Sequence, residues 1–316
     1  MWSSVDLITL LQQSDASKRP ALGSISLFSI DSSMKIGFGV DHDGSAVLIL
    51  PAQPETLGFV TRYATFDPLT AVYWQEQQAT LSDISILKCK VDLSDEIVIR
   101  SFSAIISGII DIQNRFGEVG NVLWTLKSLF ESGFAPIFSQ DQLVGLIGEL
   151  LVLDSSSQPN ELFEYWHADP KAKFDFSSSR CRIEVKTTTS QGRHHYISST
   201  QFYGNPEIDL YFVSIKLDIV QVGSNFRDVY TGLLNKLTLD KQRLLTKVIM
   251  ETLSVPPLSV DGLNFDKNSS ISSIEIFDGA DIPFPELSAR VLSATCLISL
   301  EGLSPKESQI DQIAFN

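Results

Sequence analysis

Short apolar runs broken by turn residues open the chain. Residues 25–30, 35–40 and 46–50 read as strands, and Asp43-Gly44 between the last two is a hairpin turn signal. Further strands are expected at 59–65, 71–75 and 84–91. The apolar spacing then lengthens to that of a helix at 96–115 and 120–130, and Leu7, Leu10 and Leu11 share one face of a short N-terminal helix. Gly133-Phe134-Ala135-Pro136 interrupts the pattern. Two domains are therefore expected. One is a β-rich domain with two trailing helices over 1–132, for recognition or partner binding; the other covers 133–316.

The second domain reads as helix, strand, strand, strand, helix before its C-terminal part. Ser139-Gln140-Asp141-Gln142 is a capping box, and Asp141 adds a negative charge at the positive end of the helix dipole. Leu143, Leu146, Ile147, Leu150 and Leu151 form a wide apolar face. Gly145 and Gly148 each cost about 1 kcal/mol against alanine, a cost tolerable where a helix approaches other backbone closely. Glu149 then sits on a largely apolar helix, either at a rim in water or held in a cleft by a cation. In the strand pattern Lys173-Phe174-Asp175-Phe176, the two phenylalanines face one way and Asp175 the other. After a turn at 177–180, Cys181, Ile183 and Val185 share the packed face, and Arg182, Glu184 and Lys186 the opposite one. If the two segments pair, Asp175, Glu184 and Lys186 share one side of a sheet. Beyond them, a strand is expected at 209–216, helices at 226–237 and 239–253, and short strands at 274–277 and 292–300.

Composition changes this picture little. Hydrophobic residues make up 43% and charged ones 20%, as in soluble globular chains, and no apolar run is long enough to cross a bilayer. Cys89, Cys181 and Cys296 fit neither a disulfide framework nor a zinc site, and the first residues lack a secretory signal, so a reducing cytoplasm is expected. Charge matters more. A net −14 opposes phosphate binding, yet the acidity lies in the flanks: residues 1–140 hold 9 Lys and Arg against 15 Asp and Glu, as do residues 205–316. Between Lys171 and Arg193, Lys171, Lys173, Arg180, Arg182, Lys186 and Arg193 face only Asp175 and Glu184, with His194 and His195 following. Such an island is either a phosphate-binding cleft or a solvated hairpin.

Converging carboxylates repel, so a cation must bind them or their pKa values must rise. Oxygen ligands select Mg²⁺ or Mn²⁺, which acidifies a bound water and neutralises charge on a phosphate, and a neighbouring lysine can orient or deprotonate that water or stabilise the phosphate. A lone Glu-X-Lys carries almost no information; its combination with Asp175 and the Gly-Leu-Ile-Gly-Glu helix carries more. Other schemes lack their motifs. There is no phosphate loop ending in Gly-Lys-Ser/Thr, no Gly-X-Ser-X-Gly elbow and no His-Glu-X-X-His helix, and Gly37-Phe38-Gly39 lacks a third glycine. Asp41, His42 and Asp43 could be imagined as metal ligands, but a tight turn uses the same residues for backbone reasons and is preferred.

Glu149, Asp175 and Glu184-Val185-Lys186, in that order, resemble the PD-(D/E)XK nuclease superfamily, the restriction-endonuclease-like fold. More narrowly, Gly145 to Leu150, Trp166, Phe174-Asp175-Phe176 and Glu184 to Thr188 look like an uncharacterised bacterial family of PD-(D/E)XK motif proteins, encoded beside restriction and defence genes. The narrow resemblance runs from the β-rich half to Phe284-Pro285-Glu286-Leu287, and Phe174 stands where the superfamily's name-giving proline would. The resemblance implies an α/β (α+β) fold with a mixed core sheet flanked by helices. It implies Asp175, Glu184 and Glu149 as ligands of Mg²⁺ or Mn²⁺, and Lys186 as the catalytic lysine. Residues 194–197 would form the following core strand and 198–203 the start of the next helix. Lys173, Arg182 and Arg193 are candidates for DNA contact; Gln201 either contacts substrate or holds the lysine, and His194 and His195 either touch phosphate or are structural. The implied function is a metal-dependent endodeoxyribonuclease within a restriction or anti-phage system, with DNA and other subunits as partners and no membrane. The alternative is a non-catalytic DNA-binding or protein-interaction subunit on the same fold.

Overall fold

The computed structural model describes residues 19–31, 36–91, 96–117, 119–131, 138–167, 173–202, 207–260, 262–288 and 290–315. Leu7, Leu10, Leu11 and Lys171 lie outside them. The chain divides into two compact units: Met1–Phe138 with Leu245–Val260, and Ser139–Leu244 with Asp261–Asn316. The first unit thus includes a segment far downstream of the break at 133–136. Among the described residues no helix is long and apolar enough to cross a membrane.

Six strands build the first unit: β1 (Ser24–Asp31), β2 (Ile36–Asp41), β3 (Ala46–Pro51), β4 (Phe59–Val60), β5 (Ala64–Trp74) and β6 (Ala79–Cys89). Their order is β1-β2-β3-β6-β5-β4, and β1 also pairs with β5 in parallel, so the sheet returns on itself. The β2–β3 turn is made by Asp41, whose Oδ1 accepts from the backbone N–H of Asp43 and Ser45, both at 3.0 Å, while Gly44 takes φ +81°. Lys88 lies 3.6 Å from the other oxygen, so backbone and lysine between them occupy Asp41. The expected strand at 59–65 is broken by a turn at Thr61, whose Oγ1 accepts from Ala64 N at 2.9 Å. The expected 71–75 strand is the end of β5, a longer strand whose register shifts beside Pro68, which has no N–H for the ladder. Helices α1 (Glu96–Phe116), α2 (Gly120–Thr125) and α3 (Lys127–Glu131) follow. The returning segment meets α1 where Gly108 leaves room: a Cβ there would lie 2.5 Å from the Cβ of Pro256.

The second unit begins with α4 (Gln140–Ser155), started by the Ser139–Gln142 capping box, and α5 (Pro159–Phe163). Then come β7 (Phe176–Ser177), β8 (Cys181–Thr188), β9 (His194–Ser198), α6 (Ser199–Phe202), β10 (Asp209–Lys216), β11 (Ile219–Ser224), α7 (Phe226–Lys236), α8 (Leu239–Leu253, running into the first unit), α9 (Lys267–Ser272), β12 (Glu275–Asp278) and β13 (Thr295–Ser299). The main sheet is mixed, in the order β12-β10-β8-β7: β10 runs parallel to β8, while β12 and β7 are antiparallel to their neighbours. β9 is not the next strand of this sheet. It pairs with β13 in a two-stranded sheet of its own, while β10 lies along the whole of β8. Phe176, Ile183, Phe212, Val213, Leu150, Leu151, Val229 and Tyr230 are all buried.

Asp154 on α4 is buried and receives Lys236 of α7 at 2.8 Å and Lys267 of α9 at 2.6 Å. Burial alone would raise its carboxyl, but the two ammonium groups outweigh it and hold the pKa below the usual range. A depressed folded pKa gives stability that is present above the unfolded value of about 3.9 and lost as pH falls through the folded one. Asp154→Ala is expected to cost about 2 kcal/mol at neutral pH, the scale of a charged hydrogen bond lost between partly exposed lysines and a buried carboxylate. Urea titrations at neutral and strongly acid pH check this, since the gap to wild type should close on the acid side.

Candidate functional site

The site is assembled around the contact between α4 and β8. A Cβ on Gly148 would lie 1.8 Å from Thr187 Oγ1, so only glycine lets the helix press so closely on the strand. Gly145 faces open space and serves no such approach. Glu149, next along the helix, is thereby brought beside the β7–β8 hairpin. Its Oε2 accepts from the indole N–H of Trp166 at 2.8 Å and lies 2.9 Å from His167 Nε2.

Asp175 does not lie in a strand as the alternation at 173–176 implied. It occupies a bend before the two-residue β7, and Phe174 is only half-buried whereas Phe176 is fully buried. β7 also pairs on its other side with the segment after α5: Trp166 bridges Phe176, His167 N–H donates to Asp175 O at 3.0 Å and Ser177 N–H to Tyr165 O at 2.9 Å. Asp175 nonetheless reaches β8, where its Oδ2 accepts from Val185 N–H at 2.7 Å. Glu184, on the face opposite Ile183, is only 5% exposed. Its Oε1 accepts from Lys186 Nζ at 2.8 Å and from Gln201 Nε2 at 2.5 Å, and Gln201 Oε1 accepts from Lys186 Nζ at 3.3 Å. Gln201 on α6 thus grips both the acid and the lysine. The second oxygen of Glu184 is buried with no hydrogen-bond partner.

The electrostatics follow from this crowding. Burial first, then the charges of Glu149 and Glu184, push the Asp175 carboxyl well above the usual range despite Val185 N–H and Lys186. Burial likewise raises Glu184, against Lys186 and Gln201. Carboxylates that cannot comfortably ionise together, with one buried oxygen left unpartnered, are a donor set suited to a divalent cation.

The remaining candidates part company. Arg193 is buried and spent internally: it pairs with Glu275 at 2.8 Å and donates to the carbonyl oxygens of Ser214 and Ser273. It is a structural residue, not a surface cation. Arg182 donates to the carbonyl oxygens of Ser178 and Cys181 and ties the β7–β8 turn. Lys173 is exposed and lines a cavity with Ser199, Thr200 and Glu286. His195 is buried at 2.7 Å from Ser214 Oγ, and burial with the charges of Lys186 and Arg193 pushes its pKa down to about 4, so it is neutral and structural. His194 is exposed on β9. His167 escaped the sequence reading because it sits in a loop with no periodicity. The one available signal was its place directly after Trp166, itself part of the recognisable pattern. One ligand atom each from Glu149, His167 and Asp175 lie within 4.8 Å of one another.

Comparison with known proteins gives one result. The family model described as "Putative PD-(D/E)XK family member, (DUF4420)" matches residues 9–254, most of the chain, and ends before residues 284–287. No curated protein and no solved structure matches.

Proposed function

Because the chain belongs to this PD-(D/E)XK family, we propose that it is a metal-dependent endodeoxyribonuclease, one component of a bacterial restriction or anti-phage system in the cytoplasm. On this reading the mixed sheet and α4 form a restriction-endonuclease-like core, and the first unit serves recognition or partner binding. The observation that carries the proposal is the Glu149–Asp175 cluster set against β8, where Asp175 Oδ2 accepts from Val185 N–H at 2.7 Å and Lys186 Nζ lies 2.8 Å from Glu184 Oε1. Asp175, Glu184 and Glu149 would hold Mg²⁺ or Mn²⁺. Such a cation supplies a more acidic water and stabilises charge on the phosphate. Lys186 keeps an ammonium beside the carboxylates, where it can donate to a phosphate oxygen as negative charge grows. Gln201 is a positioning residue, because it fixes the Lys186–Glu184 pair from the side.

One observation favours a second reading, a DNA-binding or interaction subunit without catalysis. The basic island contributes less surface charge than its sequence implied, since Arg193 is buried and Arg182 is turned into the hairpin. Lys173 and Arg180 are its exposed members among the described residues. A grip on DNA would then come largely from partner subunits. Conversion of supercoiled plasmid with Mg²⁺ or Mn²⁺ separates the readings. Lys186→Ala is expected to slow cleavage by about 10²–10³ or more, the scale of losing one positioned stabiliser of transition-state charge. Equal, negligible conversion by wild type and variant, with DNA binding indifferent to chelator, would establish the second reading.

A further inference from the structure

We infer that His167 is a nitrogen ligand in the cation site and that the site therefore prefers Mn²⁺ to Mg²⁺. This rests on the metal-dependent reading above and adds to it a residue and a choice of metal. Donor atoms sharing one ion at bond lengths of about 2.0–2.2 Å lie up to about 4.4 Å apart. The atoms offered by Glu149, His167 and Asp175 lie within 4.8 Å of one another, so a shift of a few tenths of an ångström would close the set. Glu184, whose second oxygen is buried with no hydrogen-bond partner, stands next to this set on β8, where the N–H of the following residue, Val185, donates to Asp175 Oδ2 at 2.7 Å. Mutual repulsion among the acids would not by itself leave the Glu184 oxygen unpaired.

His167 is delivered by a fixed backbone. It takes φ +45°, a region non-glycine residues seldom occupy. Its N–H donates to Asp175 O, the buried ring of Trp166 lies edge-on at 4.8 Å, and Trp166 bridges Phe176. The backbone that carries the imidazole is therefore tied to the segment that presents Asp175. A plain histidine–glutamate pair is the competing account. Glu149 Oε2 already accepts from Trp166, so that carboxylate oxygen does not need the imidazole for a donor. Chemistry sets the metal. Mg²⁺ takes oxygen ligands and keeps several waters, whereas imidazole suits transition metals.

The test is direct Mn²⁺ binding to the full chain by electron paramagnetic resonance, with Mg²⁺ as competitor and pulsed detection of ¹⁴N coupling. The wild type should show a directly bound imidazole nitrogen. His167→Asn tolerates the left-handed backbone and is too short to ligate. It should lose the nitrogen signal and weaken Mn²⁺ binding by more than about 10-fold, at least the cost of disturbing an outer-shell partner, with Mg²⁺ affinity nearly unchanged. Asp175→Asn should abolish binding of both. Absence of ¹⁴N coupling in the wild type, or undiminished Mn²⁺ affinity in His167→Asn while Asp175→Asn abolishes it, overturns the role of His167 and leaves the carboxylate site standing. No metal bound by the wild type overturns both. Because the coupling is read first on the unaltered protein, an unfolded variant does not rescue the idea, and His167→Gln provides a second substitution.

Discussion

Asp175→Asn is expected to abolish metal-dependent DNA cleavage while raising the melting temperature of the metal-free protein by roughly 2–4 °C, equivalent to about 1 kcal/mol in a domain of this size. The folded carboxyl has a raised pKa, caused first by burial and then by Glu149 and Glu184. The unfolded chain ionises this group near its ordinary value, so above that pH the ionised carboxylate works against folding, and the penalty vanishes on protonation. A neutral amide of the same shape removes the penalty. Its oxygen can still accept from Val185 N–H, which preserves the local link to β8. Divalent cation should stabilise the wild type, since a ligand bound only by the folded state adds its binding energy, and should not stabilise the variant. Thermal melts with and without chelator, beside a plasmid assay, measure both halves. A lower metal-free melting temperature would make Asp175 a structural residue.

Arg193→Ala is expected to cost about 3 kcal/mol of stability, near the lower end for removing one partner of a buried ion pair, and to leave DNA affinity per folded molecule unchanged. The guanidinium joins the start of β9 to β10 and β12 through Ser214, Ser273 and Glu275. Its loss strips donors from buried carbonyl groups and leaves a cavity. The Glu275 carboxylate is partly exposed and can be solvated, which keeps the cost from reaching the upper range. Urea unfolding together with a DNA-binding titration decides the matter. Unchanged stability with weakened binding would return Arg193 to the DNA surface, where charge alone had put it.

The helix that carries Glu149 and the strand that carries Glu184 and Lys186 were legible because each leaves a local mark. Glu149 follows a glycine on a capped apolar helix, and Glu184 and Lys186 alternate with buried residues along one strand. The strands at 209–216 and 46–50 and the helices at 96–115 and 239–253 were legible for the same reason: periodicity records which face is covered. What eluded the sequence depends on partners distant along the chain. Asp175 was assigned to a strand, yet its backbone conformation is set by pairing with Tyr165 to His167. β9 was expected in the main sheet, but its partner is β13, a strand far downstream that no local pattern around 194–197 announces. Arg193 read as a surface cation because a net charge per segment cannot tell a solvated cation from one enclosed by Glu275 and two serines.

The return of Leu245–Val260 to the first unit interleaves the two units along the chain, since the second resumes at Asp261. The ribosome releases the first 138 residues long before the segment that completes their unit exists. The strands of the first sheet all precede Lys90 and can pair early, but the segment that meets α1 at Gly108 through Pro256 is made only after the acids and the lysine. Domains generally fold as units during synthesis, and exposed apolar surface in the interval is aggregation-prone. Expression of residues 1–138 alone would leave the Pro256 side of α1 uncovered, whereas a chain ending just after Val260 would supply its cover.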